Sequence, residues 1–167
     1  LTTITIPDSV TVIGREAFER CTSLTSITIP DSVTRVDYGA FARCTSLTSI
    51  TIPDGVTSIG SHAFRECTSL RSITIPNSVT HIGRDTFRLC TSFTSITIPD
   101  SIIEIEDSAF FSCNSLTQVI CNHPNVFTEQ NTENRDQIQF ISTTDYFKEN
   151  YIELLIALES SGLNTDS

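Results

Sequence analysis

The sequence is poor in several residue types, and their scarcity limits what the chain can do. It contains no methionine or tryptophan and only one lysine, Lys148. No apolar stretch approaches the roughly 20 residues that a membrane-spanning helix needs, and no signal peptide is recognisable at the N-terminus. There is no N-x-[ST] motif for N-glycosylation either. Composition therefore predicts a single domain without a membrane span.

Positive charge is scarce as well. Ten lysines and arginines stand against 20 aspartates and glutamates, which gives a formal net charge of −10. Nucleic-acid binding needs clustered lysine or arginine that neutralises phosphates, so we expect no nucleic-acid partner. Acidic residues such as Glu16 and Glu66 interrupt the six arginines that could form a modest basic stripe, which favours an ordinary solvated face. These arginines are Arg15, Arg20, Arg43, Arg65, Arg84 and Arg88.

What the chain does contain is a motif that repeats every 23 residues. It reads L-x-x-I-x-I-P-[DN]-x-[VI]-x-x-[IV]-x-x-x-[AT]-F-x-x-C, and no insertion or deletion interrupts it between residues 1 and 115. Five whole units and the first strand of a sixth are present. The units open at Leu1, Leu24, Leu47, Leu70, Phe93 and Leu116. So strict a period predicts a solenoid in which each unit packs only on its neighbours.

The second unit shows how the first half of the motif is expected to fold. Ile27 and Ile29 alternate with polar residues, a period of two that predicts a strand with its aliphatic side chains inward. Pro30 ends the strand because it cannot donate a ladder hydrogen bond. Asp31-Ser32 then predicts a turn held by side-chain hydrogen bonds to nearby backbone. A second short inward stretch follows the turn.

The second half of the motif predicts a helical turn and an aromatic core. Ala40, Phe41 and Cys44 have the spacing of one helical face. The motif phenylalanines predict an aromatic spine along the stack, with Phe64 buried between Phe41 and Phe87. A glycine precedes the turn in three units and predicts a bend at positive φ. These glycines are Gly14, Gly60 and Gly83.

This motif resembles the BspA-like leucine-rich repeat family, also called the TpLRR type, over residues 1–121. The resemblance implies that the L-x-x-I-x-I strands form a parallel sheet on the concave face of an arc. With short second strands and helical turns, the predicted fold is a β-rich α/β repeat solenoid closed by a C-terminal helical cap. Members of the family are often cell-surface adhesion or host-binding proteins, and the shared motif positions carry no catalytic residues. The resemblance therefore favours a cell-surface or secreted location.

Inward isoleucines force the remaining strand side chains outward as a polar ladder. We predict that this ladder, together with the irregular Arg71, is the binding face for a protein or glycan ligand. The candidate residues are Ser26, Thr28, Ser49, Thr51, Arg71, Ser72, Thr74, Ser95 and Thr97, and Thr3 and Thr5 begin the same ladder. The alternative is an architectural segment of a longer array with no binding specificity of its own, because tuned binding faces usually vary from coil to coil. Since the chain begins inside a repeat and lacks methionine, we expect a fragment or processed chain with more repeats upstream.

The six cysteines are expected to serve packing. Those of the motif recur in one core slot, so buried free thiols are the simpler interpretation, although neighbouring coils bring them within disulfide reach. Free thiols fit a reducing, cytoplasmic compartment, whereas the family resemblance favours the cell surface. The sequence leaves both compartments open.

No catalytic or cofactor-binding constellation is recognisable. His62, His81 and His123 occupy different repeat positions, and we expect no acid or nucleophile beside any of them. A row of turn residues offers one carboxylate per coil, whereas calcium needs several oxygens around one point, so turn formation explains the row more simply. The row is Asp8, Asp31, Asp54, Asn77 and Asp100. We therefore predict no enzyme activity, metal or cofactor.

The repeat ends at residue 121, and residues 122–167 are predicted to form a C-terminal cap. The one long helix of this segment is expected over residues 146–161, capped at its start by Thr144 or Asp145. Its apolar face consists of Phe147, Tyr151, Leu154, Leu155 and Leu158. We expect this face to cover the last coil around Phe110. Docking to a partner protein is the alternative role for the helix.

Overall fold

The computed structural model describes residues 2, 4–133 and 135–160. In this part of the chain, ten short strands form two five-stranded parallel sheets, and one α-helix follows them. The elements are β1 (Val12–Ile13), β2 (Arg35–Val36), β3 (Ser49–Thr51), β4 (Ser58–Ile59), β5 (Ser72–Thr74), β6 (His81–Ile82), β7 (Ser95–Thr97), β8 (Glu104–Ile105), β9 (Gln118–Ile120), β10 (Gln139–Ile141) and α1 (Thr143–Ser160). Two short 3-10 helices, Pro124–Val126 and Arg135–Gln137, lie between β9 and β10. The predicted parallel solenoid with one C-terminal helix is confirmed.

The first sheet is built from the L-x-x-I-x-I segments and has the order β10-β9-β7-β5-β3. Its register joins equivalent residues of neighbouring coils, such as Ser49 with Ser72. Single bridges from Thr5 to Thr28 and from Thr28 to Thr51 carry this register through the first two coils. The central isoleucine of β3 and of β5 is buried between two exposed residues, as a period of two requires.

The second sheet has the order β1-β2-β4-β6-β8 and is reached through the predicted turn. The Val33 N–H donates to the Pro30 carbonyl at 3.0 Å, which closes that turn. The expected side-chain hydrogen bond is not local, however, because the Ser32 hydroxyl donates to the Val10 carbonyl of the preceding coil at 2.7 Å. Two further turn serines make the same bond between coils. The serine therefore holds neighbouring coils together.

The core runs without interruption along the stack. Phe64 is fully buried, and its ring stacks at centroid distances of 5.4 Å on Phe41 and 5.6 Å on Phe87, which confirms the predicted aromatic spine. The rings of the spine, in order, are Phe18, Phe41, Phe64, Phe87, Phe110 and Phe127. Phe127 lies outside the repeat, so the C-terminal segment supplies the last stacked ring.

Consecutive β-turns form the third side of each coil, where the motif predicts a helical turn. In the first coil, the Ala17 N–H donates to the Gly14 carbonyl at 3.2 Å and the Cys21 N–H to the Phe18 carbonyl at 3.1 Å. The Phe18 N–H donates to the Ala40 carbonyl of the next coil at 2.8 Å. In an α-helix, each backbone N–H would donate to the carbonyl four residues earlier. The Phe18 N–H donates to the next coil instead, so the prediction of a helical turn is wrong.

Positive φ angles lie two and six residues beyond the predicted glycine bend. They recur at two repeat positions, occupied by Glu16, Gly39, His62, Asp85 and Ser108 and by Arg20, Arg43, Glu66, Leu89 and Ser112. Gly14, Gly60 and Gly83 do not have positive φ, so the predicted reason for these glycines is wrong. Gly60 is needed for space, because an added Cβ would lie 2.7 Å from both the Asp37 carbonyl carbon and the Tyr38 nitrogen of the neighbouring coil.

The residues after the repeat cover the last coil with a strand and two apolar side chains. Strand β10 pairs in parallel with β9 and so extends the first sheet beyond the repeat. Phe127 and Ile138 are buried and belong to the common core. Asn131 is buried as well, and its side-chain amide donates to the Ile105 carbonyl of the last coil at 3.1 Å. The core side chains at this end of the stack, Phe110, Leu116 and Val119, are buried.

Helix α1 begins at Thr143, three residues before the predicted start. Its N-cap is Ser142, and neither Thr144 nor Asp145 has that role. The Ser142 hydroxyl accepts a hydrogen bond from the Asp145 N–H at 3.0 Å and donates to the Asp145 carboxylate at 2.7 Å. The bond from the Asp145 N–H makes Ser142 an ordinary N-cap, and the Asp145 carboxylate holds the capping hydroxyl in place.

The expected docking of the helix on the last coil is wrong for the described side chains. Phe147 is 67% exposed and Tyr151 is 62% exposed, and every residue from 147 to 153 is exposed. Phe127 already stacks on Phe110, so the helix has no bare core left to bury. The side chains of Leu154, Leu155 and Leu158 lie outside the described part of the chain.

Candidate functional site

The predicted polar ladder is one continuous surface of the first sheet, which we call the ladder face. It consists of Ser26, Thr28, Ser49, Thr51, Arg71, Ser72, Thr74, Ser95 and Thr97, all exposed except the half-buried Ser95. The sheet register pairs Thr51 with Thr74 and Thr74 with Thr97. Neighbouring strands of a sheet lie about 4.8 Å apart, so the threonines form a straight, evenly spaced row. Thr5 continues the row in the first coil, and Thr3 lies outside the described residues.

The hydroxyls of the threonine row differ in their hydrogen bonding from nearby threonines. Thr25 and Thr48 donate their hydroxyls to backbone carbonyls of the preceding coil at 3.2 and 3.4 Å. In the described part of the chain, no protein hydrogen bond engages the side chains of Thr28, Thr51 and Thr74. A hydroxyl can both donate and accept, so this row offers both functions to a ligand.

Two irregular features interrupt the uniform row. Arg71 stands in the repeat position of Thr25 and Thr48 and is exposed, and no carboxylate pairs with it among the described residues. A shallow hollow of about 280 Å³ lies where the strands of the second and third coils end. Thr28, Thr51, Asp31, Pro53 and two isoleucines line this hollow. Both features can distinguish one ligand from another on an otherwise repetitive surface.

A second polar cluster lies on the turn face, the side of the solenoid that the consecutive β-turns form. The Nε2 atom of His62 lies 3.6 Å from the Asp85 carboxylate, which is 8% exposed and also accepts from Arg88 Nη1 at 3.3 Å. The Tyr38 ring packs on the imidazole at a centroid distance of 4.9 Å. The expectation that no acid lies beside a histidine is therefore wrong. His62 and Asp85 share one repeat position 23 residues apart, so the period itself contained the signal.

The histidine–aspartate pair lacks the third group that nucleophilic catalysis needs. Arg65 Nη1 lies 3.5 Å from His62 Nδ1, and because arginine can only donate, the ring proton belongs on Nε2, facing Asp85. Burial lowers the pKa of His62, and attraction to Asp85 opposes that effect. No hydroxyl or thiol is hydrogen-bonded to the ring among the described residues, so the pair has no nucleophile to activate.

Four of the five motif cysteines are buried, and Cys21 of the first coil is half-buried. The thiols of Cys67, Cys90 and Cys113 each donate to the carbonyl of the motif phenylalanine in the preceding coil, at 3.1, 3.1 and 3.0 Å. Burial raises the pKa of Cys44 to about 12 and that of Cys113 to about 12. All six cysteines are free thiols. Since the thiolate is the reactive form, the buried thiols serve packing and bonding between coils.

The described residues hold no cluster of three histidine, cysteine or acidic side chains suited to a metal ion. In the row of turn residues, the Asp100 carboxylate accepts from the Asn122 amide at 2.9 Å. Asn122 in turn accepts from the N–H of Thr143 at 3.1 Å and so ties the start of α1 to the last coil. Among the described helices, none has both the length and the apolar character needed to cross a bilayer.

Solved structures of bacterial leucine-rich repeat proteins are similar to this chain. The T. pallidum leucine-rich repeat protein is 34% identical, with a TM-score of 0.69 over 72% of this chain and 58% of that one. A Eubacterium ventriosum leucine-rich repeat protein is 33% identical, with a TM-score of 0.66 over 71% and 32% of the two chains. A leucine-rich cell surface protein from Faecalibacterium prausnitzii is 28% identical, with a TM-score of 0.63 over 86% and 48%. The chain thus covers less than two thirds of each of these proteins.

A comparison with curated proteins gave no significant match. The family model described as the BspA type leucine rich repeat region, with 6 copies, matches residues 1–117 and 34–153. These matches include both the repeat units and most of the segment that follows them. The chain belongs to the BspA-type leucine-rich repeat family.

Proposed function

We propose that this protein is a non-catalytic leucine-rich repeat scaffold that binds a protein or glycan ligand through the ladder face. The observation that carries the proposal is the row of exposed hydroxyls at Thr28, Thr51 and Thr74, which are held in register and make no bond within the described protein. The strands beneath them are fixed by a continuous core. A rigid surface loses little conformational freedom on binding, so even modest polar contacts contribute to affinity.

The chemistry of the face fits a ligand that is rich in hydroxyl or amide groups. Evenly spaced hydroxyls can pair with sugar hydroxyls or with an extended peptide backbone. Arg71 supplies a positive charge free to meet a carboxylate, and the hollow beside Thr28 and Thr51 supplies a concave subsite with Asp31 at its edge. These two features are the proposed source of selectivity.

The proposed setting is adhesion at a cell surface. The similar Faecalibacterium prausnitzii protein is described as a cell surface protein, which supports this location for the present chain. Free thiols are compatible with this location, because burial shields all of them except the half-buried Cys21 from oxidants.

The alternative function is architectural, with the chain acting as one segment of a longer array. The near identity of the coils favours it. Ile4, Ile6 and Phe18 are only partly buried, whereas their equivalents in later coils are buried. A further coil upstream would cover them, and we propose such repeats in the full-length protein.

A binding experiment separates these functions. Wild-type protein and two triple variants are tested on a glycan array and on purified extracellular matrix proteins. The ladder variant carries Thr28→Asp, Thr51→Asp and Thr74→Asp. The control variant carries Thr34→Asp, Thr57→Asp and Thr80→Asp, three exposed threonines with the same spacing beside the second sheet. Because Thr34 and Thr57 donate their hydroxyls to the preceding coil at 3.2 and 3.4 Å, this control disturbs the solenoid at least as much as the ladder variant does. We expect all three proteins to fold and only the ladder variant to lose its ligand.

Equal binding by the ladder variant would place the ligand elsewhere and contradict the proposal. Failure of the wild-type protein to bind any probe would favour the architectural alternative. Circular dichroism of each variant shows whether the solenoid is intact before its binding is compared.

A further inference from the structure

Two neighbouring rows of side chains on the turn face are interrupted at the second coil. One row is Glu16, Gly39, His62, Asp85 and Ser108, and the other is Glu19, Ala42, Arg65, Arg88 and Phe111. The second coil contributes the smallest residue to each row, Gly39 and Ala42. These two residues are the floor of a notch of about 200 Å³ between the first and third coils.

The walls of this notch carry opposite charges. Glu16 and Glu19 line one wall, whereas His62 and Arg65 line the other. The two walls belong to the first and third coils, whose backbones are about 10 Å apart because neighbouring strands are about 4.8 Å apart. Tyr38 and Arg43 also line the notch, and the Arg15 guanidinium lies 4.5 Å from the Tyr38 ring centroid. Arg43 Nη1 already lies 3.5 Å from the Glu19 carboxylate, so the notch is bipolar and Glu16 is the less engaged of its two carboxylates.

Two of these charges have unused bonding capacity. The Glu16 carboxylate meets only its sequence neighbour Arg15, at 3.6 Å, and its side chain is 42% exposed. Arg65 shares the carboxylate of Glu66 with Arg43, which holds that carboxylate through a 3.0 Å hydrogen bond. The buried Arg65 Nε atom lies 3.2 Å from the Glu66 carboxylate without an aligned hydrogen bond, and Arg65 Nη1 lies 3.5 Å from His62 Nδ1, so the remaining N–H groups of the guanidinium are the ones that a ligand could use.

We propose that the notch binds a small zwitterion with closely spaced charges, an α-amino acid, with its ammonium group at Glu16 and its carboxylate at Arg65. Charge-assisted hydrogen bonds of this kind are stronger than neutral ones. A lone anion would meet the glutamates, and a lone cation would meet the arginines. Only a zwitterion satisfies both walls at once. The volume is smaller than the roughly 300–1,000 Å³ of most ligand pockets, which suits a free amino acid. This site is independent of the ladder face.

Nuclear magnetic resonance of the histidine ring protons tests the proposal, because His62 lines the notch and the exposed His81 lies on the second sheet. The probes are glycine, acetate and methylammonium, each added at constant pH and ionic strength. We expect glycine to shift the His62 signals saturably and to leave those of His81 unchanged. Acetate and methylammonium should bind at least about tenfold more weakly, since each contacts one wall.

Three variants sharpen the test. Ala42→Leu fills the notch and should abolish the saturable shift, whereas the conservative Glu16→Gln and Arg65→Gln should each weaken glycine binding about tenfold. Glu104→Gln, at an exposed carboxylate of the second sheet, is the control and should leave glycine binding unchanged.

The proposal is overturned if wild-type protein shows no saturable shift with glycine, or if acetate alone binds as tightly. Retention of glycine binding in Glu16→Gln and Arg65→Gln would overturn it equally, and these two changes, at an exposed and a half-buried residue, do not depend on how well the Ala42→Leu protein folds.

Discussion

Phe64 holds its coil to both neighbours through a single ring. The ring is fully buried and stacks on Phe41 and Phe87. Because the rigid coils cannot collapse into the cavity that its removal leaves, we expect Phe64→Ala to lower the free energy of unfolding by about 3–5 kcal/mol. Denaturant unfolding measures this loss. A loss below about 1 kcal/mol would be inconsistent with a close-packed spine.

The cysteines should differ in reactivity according to their coil. Cys21 is half-buried in the first coil, whereas Cys67 and Cys90 are buried and donate to the preceding coil. We expect iodoacetamide to modify Cys21 first in the native protein and to reach the other two only on unfolding, since burial raises their pKa. Mass spectrometry of timed samples gives each rate. Equal rates for Cys21 and Cys67 would contradict the buried thiol row.

Burial of His62 links stability to pH. Its pKa is lowered in the folded state, mainly by burial, so the unfolded chain takes up the proton more readily. The contribution of neutral His62 to the free energy of unfolding is therefore fully present above the unfolded pKa of about 6.5. This contribution is lost as the pH falls towards the lower pKa of the folded state. We expect His62→Gln to weaken the pH dependence of unfolding between about pH 5 and 7. The same pH dependence in His62→Gln and in wild-type protein would contradict this link.

The elements of the repeat were largely predictable, whereas the segment after it was not. Ile27 and Phe64 recur in register, so their strand and spine positions follow from the period. Glu16 and His62 adopt positive φ because bonds between coils impose it, and neither residue type signals such a turn in the sequence. Phe127 continues the spine at a spacing that breaks the period, so only the folded chain reveals its role.

Two truncations test which element closes the solenoid. Removal of residues 143–167 takes away a helix whose described side chains are largely exposed, so we expect unchanged stability and no self-association. Removal of residues 122–167 also strips Phe127, Ile138 and β10 from the last coil. The freed β9 edge should then promote self-association. Analytical ultracentrifugation of both proteins distinguishes them. Association of the shorter deletion would show that α1 covers the core after all.

At the scale of the whole molecule, the repeated units produce one core and several nearly uniform surfaces. The outward positions of the ladder face were predictable apart from the half-buried Ser95, because the strand period fixes which side chains point outward. The notch of the turn face was not predicted, since it depends on Gly39 and Ala42 being small where neighbouring coils carry charged residues. The His62–Asp85 pair could be predicted from the period, because the two residues share one repeat position in neighbouring coils.

The central claim is that the ladder face acts as one continuous binding surface. The most direct test is the dissociation constant of the ligand retained by the array, measured for four single variants, Thr28→Asp, Thr51→Asp, Thr74→Asp and Thr97→Asp, with Thr57→Asp as the control. A ligand that lies along several coils predicts weaker binding for at least two neighbouring ladder variants, each by about tenfold or more, and unchanged binding for the control. Binding that is unaffected by all four ladder substitutions would contradict the claim.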